Sequence, residues 1–449
     1  MKQFFEDYWQ KTTPIYPLVT FRIAFGMLML ISTIRFVLLG WIDVQYVQPT
    51  FHFTYFGFSW VQPLNQIGMY CVFGLMILTS LGITLGFWFR VSALLFFLLF
   101  TYVELLDVSY YLNHYYFVSL IAGILCFLPA NCFCSVDCRR NPSIQKTIIP
   151  HWTIDLLKFQ ISCVYFFAGI AKINCDWLMN ALPLKIWLPA QDTIPIIGFV
   201  FKYEITAYIS SWFGMLFDCL IPLLLLFRKT RIIAYILVVS FHVVTGLLFQ
   251  IGVFPIVMIM LTTVFFSNEF HKRIVDKIQN WFDLGNTIYT ENQFSTSRIT
   301  KFVVLTYVFI QLLLPMRYLL YPGNLYWTEQ GYRFSWRVML MEKAGTTTFY
   351  ITDTKTGKKG FVDNSQFLNI HQEKQMSFQP DMIVQYARHL KNEYQKMGVN
   401  NPKVTAEIYV TLNGRPSKLY VDSTIDLSSL EDTFANKTWI RPFQTTNNE

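Results

Sequence analysis

Residues 152–178 read WTIDLLKFQISCVYFFAGIAKINCDWL, an apolar run that ends on Lys172 and passes at once into a polar Asn-Cys-Asp-Trp. A bilayer core needs about 20 mostly apolar residues per helix, and this run supplies them. Similar runs occupy 18–39, 67–89, 91–106, 110–128, 205–227, 232–249, 251–266 and 302–320. The seventh and eighth are short and nearly fused, so a re-entrant hairpin is an alternative for them. The expected architecture is therefore an α-helical polytopic membrane bundle of about nine spans. Bulk composition agrees: 53% of the 449 residues are hydrophobic, 14% are charged, and mean hydropathy is +0.37. That excludes an ordinary soluble globule. The 43 Phe and 25 Tyr suit lipid-facing helices and interfacial belts. The first residues, MKQFFEDYWQKT, are mixed and polar, so the first span is expected to direct insertion without a cleaved leader.

The net charge of +8 is traced mainly to short loops, which makes it a topology signal and argues against a nucleic-acid partner. Arg139, Arg140 and Lys146 follow the fourth run, Arg228, Lys229 and Arg231 the sixth, and Lys272, Arg273, Lys277, Arg298 and Lys301 the eighth. The loop 40–66 contains no lysine or arginine. Cytoplasmic loops hold the positive excess, which places the N-terminus inside and everything after residue 320 outside. The expected division is a membrane domain, 1–320, and a small outer α+β domain, 321–449. In the latter, TFYITDTKTGKKGFVD and AEIYVTLNGRPSKLYVD read as hairpins, the second turning at Asn413-Gly414. Residues 380–397 between them read as an amphipathic helix with Met382, Ile383, Tyr386, Leu390 and Tyr394 on one face. All eight cysteines lie at or before Cys219, so no disulfide staples the outer domain. The cluster Cys132, Cys134 and Cys138 fits no common zinc spacing and reads as reduced thiols; no metal is expected.

Ionisable groups inside a span cost several kcal/mol unless paired or hydrated. Arg22 and Arg35 in the first run, Asn113 and His114 at the head of the fourth, Lys172 and His242 stand out. Taken singly, each has an ordinary explanation. A lysine at a helix end snorkels, a lone histidine packs, an asparagine caps, and the arginines pair with inner-loop acids or lipid phosphates. Topology nevertheless brings Asn113, His114, Lys172 and His242 toward the outer half of the bundle. In an apolar pocket the charged form of an amine is disfavoured, and a neutral amine accepts a proton from a weak acid such as a phenol. A quinol is such an acid, and it is lipid-soluble.

The stretches LLDVSYYLNHYYFVSL, LPANCFCSVD, YFFAGIAKINCDW, SFHVVTGLLFQIGVF, YWTEQGYRFSWRVML, DTKTGKKGFVD, DMIVQYARHL and TWIRPF together resemble the vitamin K-dependent γ-carboxylases and their microbial relatives, whose membrane part is called the horizontally transferred transmembrane domain. The resemblance implies that Lys172 deprotonates vitamin K hydroquinone, of menaquinol or phylloquinol type, and that Asn113 and His114 hold the quinone. It places His242 near the carbon dioxide chemistry, Trp336 and Met339 at the quinone, and Trp327, Tyr332 and Lys343 at the substrate glutamate. The implied reaction oxidises the quinol with dioxygen to its epoxide and uses the resulting strong base to carboxylate glutamate in an exported polypeptide with carbon dioxide. The implied location is a cytoplasmic membrane, with lipid as the other partner. The chain departs from animal members in ending shortly after TWIRPF, in having Lys374 where paired arginines precede the DM helix, and in having His389 within YARHL, so propeptide recognition is not implied. Two other readings stay open: quinol oxidation without carboxylation, and a non-catalytic receptor or scaffold in which Lys172 snorkels.

Overall fold

The computed structural model describes residues 2–249, 251–281 and 296–443. Gln250, within SFHVVTGLLFQIGVF, and 444–449, at the end of the expected outer domain, lie outside the described residues. The apolar runs become helices α1 (Tyr16–Leu38), α2 (Gln66–Leu85), α3 (Phe89–Leu105), α4 (Asn113–Phe127), α5 (Trp152–Ala171), α6 (Glu204–Leu226), α7 (Arg231–Leu248) and α8 (Phe254–Thr262). The amphipathic α9 (Asn268–Trp281) and the apolar α10 (Arg298–Leu313) follow.

Six of these, α1, α2, α5, α6, α7 and α10 with its extension to Leu320, are long and apolar enough to cross a membrane. Counting α8 and α9 as one span, bent by 112°, makes seven. The expectation of nine is therefore not reached among the described residues. At 17 and 15 residues, α3 and α4 rise only about 25 and 23 Å. The run 110–128 loses its first turn because the Asp107 side chain accepts from Ser109 N at 2.9 Å and caps the short helix Val108–Tyr110. Among the described residues no ion pair joins the arginines of α1 to an acid. Arg22 is buried and donates to the carbonyls of Ala130 at 2.9 Å and Cys134 at 2.6 Å, while Arg35 lies 4.9 Å from the Trp41 ring centre. All eight cysteines are unpaired thiols.

After α10 the chain builds a four-stranded antiparallel sheet from β1 (Lys343–Thr352), β2 (Lys359–Phe361), β3 (Lys403–Leu412) and β4 (Lys418–Leu419), in the order β2-β1-β3-β4. Both hairpins form, and the second turns through Asn413 at φ +52° and Gly414 at φ +75°, the positive values that a tight Asn-Gly turn requires. Helix α11 (Pro380–Lys396) runs between the central strands and buries Met382, Ile383, Tyr386 and Leu390 of the predicted stripe, while Tyr394 is only half-buried. This sheet is clamped over the end of α5. Asp176 takes both Arg415 Nη2 at 2.6 Å and Arg415 Nη1 at 2.9 Å, and Asn413 Nδ2 at 2.7 Å. Tyr326 donates to Ala171 O at 3.1 Å and accepts from Asn174 Nδ2 at 3.2 Å. Polar residues just beyond Lys172 thus tie the two parts of the chain together.

Candidate active site

Helix α5 stops at Lys172 because Asn174 caps a new turn, accepting from Trp177 N at 3.0 Å, and returns a hydrogen bond to Ala171 O at 2.9 Å. The Lys172 side chain then folds back along its own helix, as helical side chains do. Its Nζ lies 3.3 Å from Ala168 O and 2.6 Å from Asp218 Oδ2 of α6. Both residues are buried, at 6% and 4% exposure, so Lys172 does not snorkel. Gly169 makes the approach possible. A Cβ there would stand 2.6 Å from Cys219 Sγ and 2.7 Å from Cys219 N, so only glycine lets α5 and α6 come this close. Gly169→Val should therefore separate the pair, and we expect at least tenfold lower turnover with intact membrane insertion, read from activity and size-exclusion profiles of the purified protein.

Around the pair lies a cavity of about 270 Å³ whose walls include Trp177, Phe213, Phe241 and Phe254. His242 shares it; its Nε2 is 2.9 Å from Tyr165 Oη, while its Nδ1 is buried with no hydrogen-bond partner among the described residues. An apolar, aromatic chamber of this kind fits the ring of a reduced naphthoquinone, and the orphaned Nδ1 offers one polar contact inside it.

A second chamber, of about 640 Å³, lies under the outer sheet and is more polar than the first, lined by Asn113, His114, Glu329, Arg333, Arg337 and Lys343 among others. The two adjoin: Trp187, Ile251, Phe254, Val338 and Met339 line both. The Phe254 ring separates the histidines, its centre 5.6 Å from that of His114 and 5.9 Å from that of His242. Lys343 donates to Trp327 O at 2.8 Å and to Glu329 Oε1 at 2.7 Å, and an ammonium has a third donor to give. Burial pushes the Lys343 amine below its ordinary range, and Glu329 offsets this. Burial likewise raises the Glu329 carboxyl, with Lys343 opposing it. Arg333 pairs with Asp381 and Gln379; burial pushes the Asp381 carboxyl up, but the charge and hydrogen bonds of Arg333 outweigh it and hold it below the usual range.

The structure thus brings Lys172, His242 and Met339 to one chamber and Asn113, His114, Tyr332, Met339 and Lys343 to its neighbour. Trp327 and Trp336 line neither. Trp327 donates Nε1 to Arg441 O at 2.7 Å, fastening the WIRPF segment. Trp336 is fully buried and stacks on Tyr116 at 5.0 Å. The Asn113 amide is already engaged, donating to Arg337 O at 3.0 Å and accepting from Tyr111 Oη at 3.0 Å. Lys374 is absent from the lining; Arg333 and Arg337 supply cations there instead. Sequence reasoning missed Asp218, although an acid in WFGMLFDCL is the same signal that selected Lys172.

Residues 10–270 match the HTTM domain, and residues 296–446 match the vitamin K-dependent gamma-carboxylase lumenal domain. No solved structure matches the chain. Fold and site together define a membrane protein built on an HTTM helical domain, with its C-terminal domain on the opposite side of the membrane from the cytoplasm. The chain belongs to the vitamin K-dependent gamma-carboxylase family. Its domains are those of a carboxylase whose family uses vitamin K and acts on glutamate-containing polypeptides.

Proposed function

We propose that this protein oxidises a reduced naphthoquinone with dioxygen to its epoxide and uses that chemistry to carboxylate glutamate in an exported polypeptide. The observation that carries this reading is the buried Lys172–Asp218 pair in an apolar chamber sharing a wall with a cation-lined one. Phe213, Phe241, Phe254 and Trp177 would hold the quinol ring. When bound, the quinol supplies, with dioxygen, a base strong enough for the glutamate γ-proton, which an amine near neutral pH is not. Lys172 and Asp218 accept the quinol proton. Either arrangement of the pair, ammonium with carboxylate or amine with carboxylic acid, is neutral overall and has room for one more proton. The positive charge so gained lies beside the anion it creates, in a medium of low dielectric. His114 and His242 flank the shared wall at Phe254, where quinone and glutamate would meet. Lys343, Arg337 and Arg333 offer donors for the substrate carboxylate.

The basic loops support an N-terminus inside, and counting α3, α4 and α8 as crossings beside the six long helices restores nine spans, a membrane domain of 1–320 and an outer domain of 321–449 in a cytoplasmic membrane. Purified protein given vitamin K hydroquinone, oxygen, labelled bicarbonate and a glutamyl peptide should produce epoxide and labelled peptide together. Epoxide without label would reduce the protein to a quinol oxidase; neither product would leave a receptor or scaffold. Lys343→Met should raise KM for the peptide about 30-fold, the size expected when a buried charged donor is lost. Epoxide formation without peptide should change less than twofold in the same variant.

A further inference from the structure

A third cavity, of about 810 Å³, lies between α3, α4, α5 and α10 and shares no lining residue with the other two. It exists because α10 stands off from the bundle, with only 11% of its apolar window buried. Leucine, phenylalanine, isoleucine and valine make most of its wall; of the polar groups that interrupt it, three stand out as unmet. Thr101 Oγ1 and Ser119 Oγ are buried without a hydrogen-bond partner. Among the described residues no hydrogen bond or ion pair reaches Glu104, one turn on from Thr101 on the same face of α3. Folded interiors rarely leave such groups unmet, and three around one void point to something that meets them. Among the described residues no lysine, arginine or histidine lines the cavity, so the phosphate of a phospholipid head would face the Glu104 carboxyl with no cation to receive it.

We propose that this cavity binds a neutral long-chain lipid whose head is a hydroxyl, the hydroxyl donating to Glu104 and accepting from Thr101 or Ser119, with the chain along the apolar wall. Acylglycerols and prenyl alcohols both have this chemistry. The full chain, reconstituted in phosphatidylcholine nanodiscs, would be exposed to a diacylglycerol with a photoreactive diazirine in one acyl chain, and labelled peptides identified by mass spectrometry. Label is expected within 94–128 and 299–307. Unlabelled dioleoylglycerol or a prenyl alcohol should compete at least tenfold better than phosphatidylethanolamine or phosphatidylglycerol, the stronger competitor naming the source. Glu104→Gln, which keeps a neutral donor and acceptor, should label within threefold of the parent. Glu104→Leu should lose at least fivefold, and Leu120→Trp, which fills the void, should abolish the label. Equal competition by phosphatidylethanolamine, a loss in Glu104→Gln, label only elsewhere, or undiminished label in both Glu104→Leu and Leu120→Trp would overturn the proposal.

Discussion

Replacing Lys172 by alanine is expected to lower quinol-dependent epoxide formation at least 100-fold, the lower end of what a positioned proton acceptor contributes. The substitution removes a buried side chain that lines the apolar chamber and reaches Asp218, Ala168 and, at 5.3 Å, the Trp177 ring. Because alanine also leaves a void, Lys172→Arg is the sharper probe. A guanidinium keeps the positive charge beside Asp218 but does not give up its proton near neutral pH. If Lys172 acts as the proton acceptor, the arginine variant should be as inactive as the alanine one while binding quinol within a few-fold of the parent. Measurement of epoxide by chromatography and of quinol binding by tryptophan fluorescence separates the two quantities. Activity retained in Lys172→Arg would show that the Asp218 carboxylate beside a fixed cation takes the proton, and the assignment of Lys172 as the base would fall.

Much of this was legible in the sequence, for identifiable reasons. Apolar runs report on helices because the bilayer tolerates no unpaired backbone and a helix pairs its own, so α5 appears with the bounds its composition predicts, Trp152–Ala171. The Asn413-Gly414 turn was readable because few residues tolerate positive φ. What composition did not report was tertiary. Helix α4 begins at Asn113 because Asp107 organises the preceding turn. Asn113 serves Arg337, 224 residues away. Trp327 and Trp336, aromatic residues in a motif rich in them, fasten loops, and nothing in their spacing separates that role from lining a chamber. Lys172 was first read as a solitary amine because its partner lies 46 residues downstream on another helix.

That pairing leads to a second large effect, on stability. Asp218→Leu should destabilise the protein by about 3–5 kcal/mol, the cost of leaving one member of a buried ion pair without the other. Lys172→Met alone should fall in the same range or below it, since a deserted carboxyl can neutralise itself by taking a proton. The double variant Lys172→Met/Asp218→Leu is the informative one. It places two apolar side chains of similar volume between α5 and α6, where Gly169 already sets a close separation, and removes both desolvation costs. Its thermal midpoint in detergent should return to within a few degrees of the parent or exceed it, with no epoxide formed. Recovery of stability without activity is what a pair kept for chemistry predicts. A pair kept for folding predicts the reverse: a double variant at least as unstable as Asp218→Leu, in which case the loss of activity in the single variants would reflect a damaged bundle and say nothing about the proton.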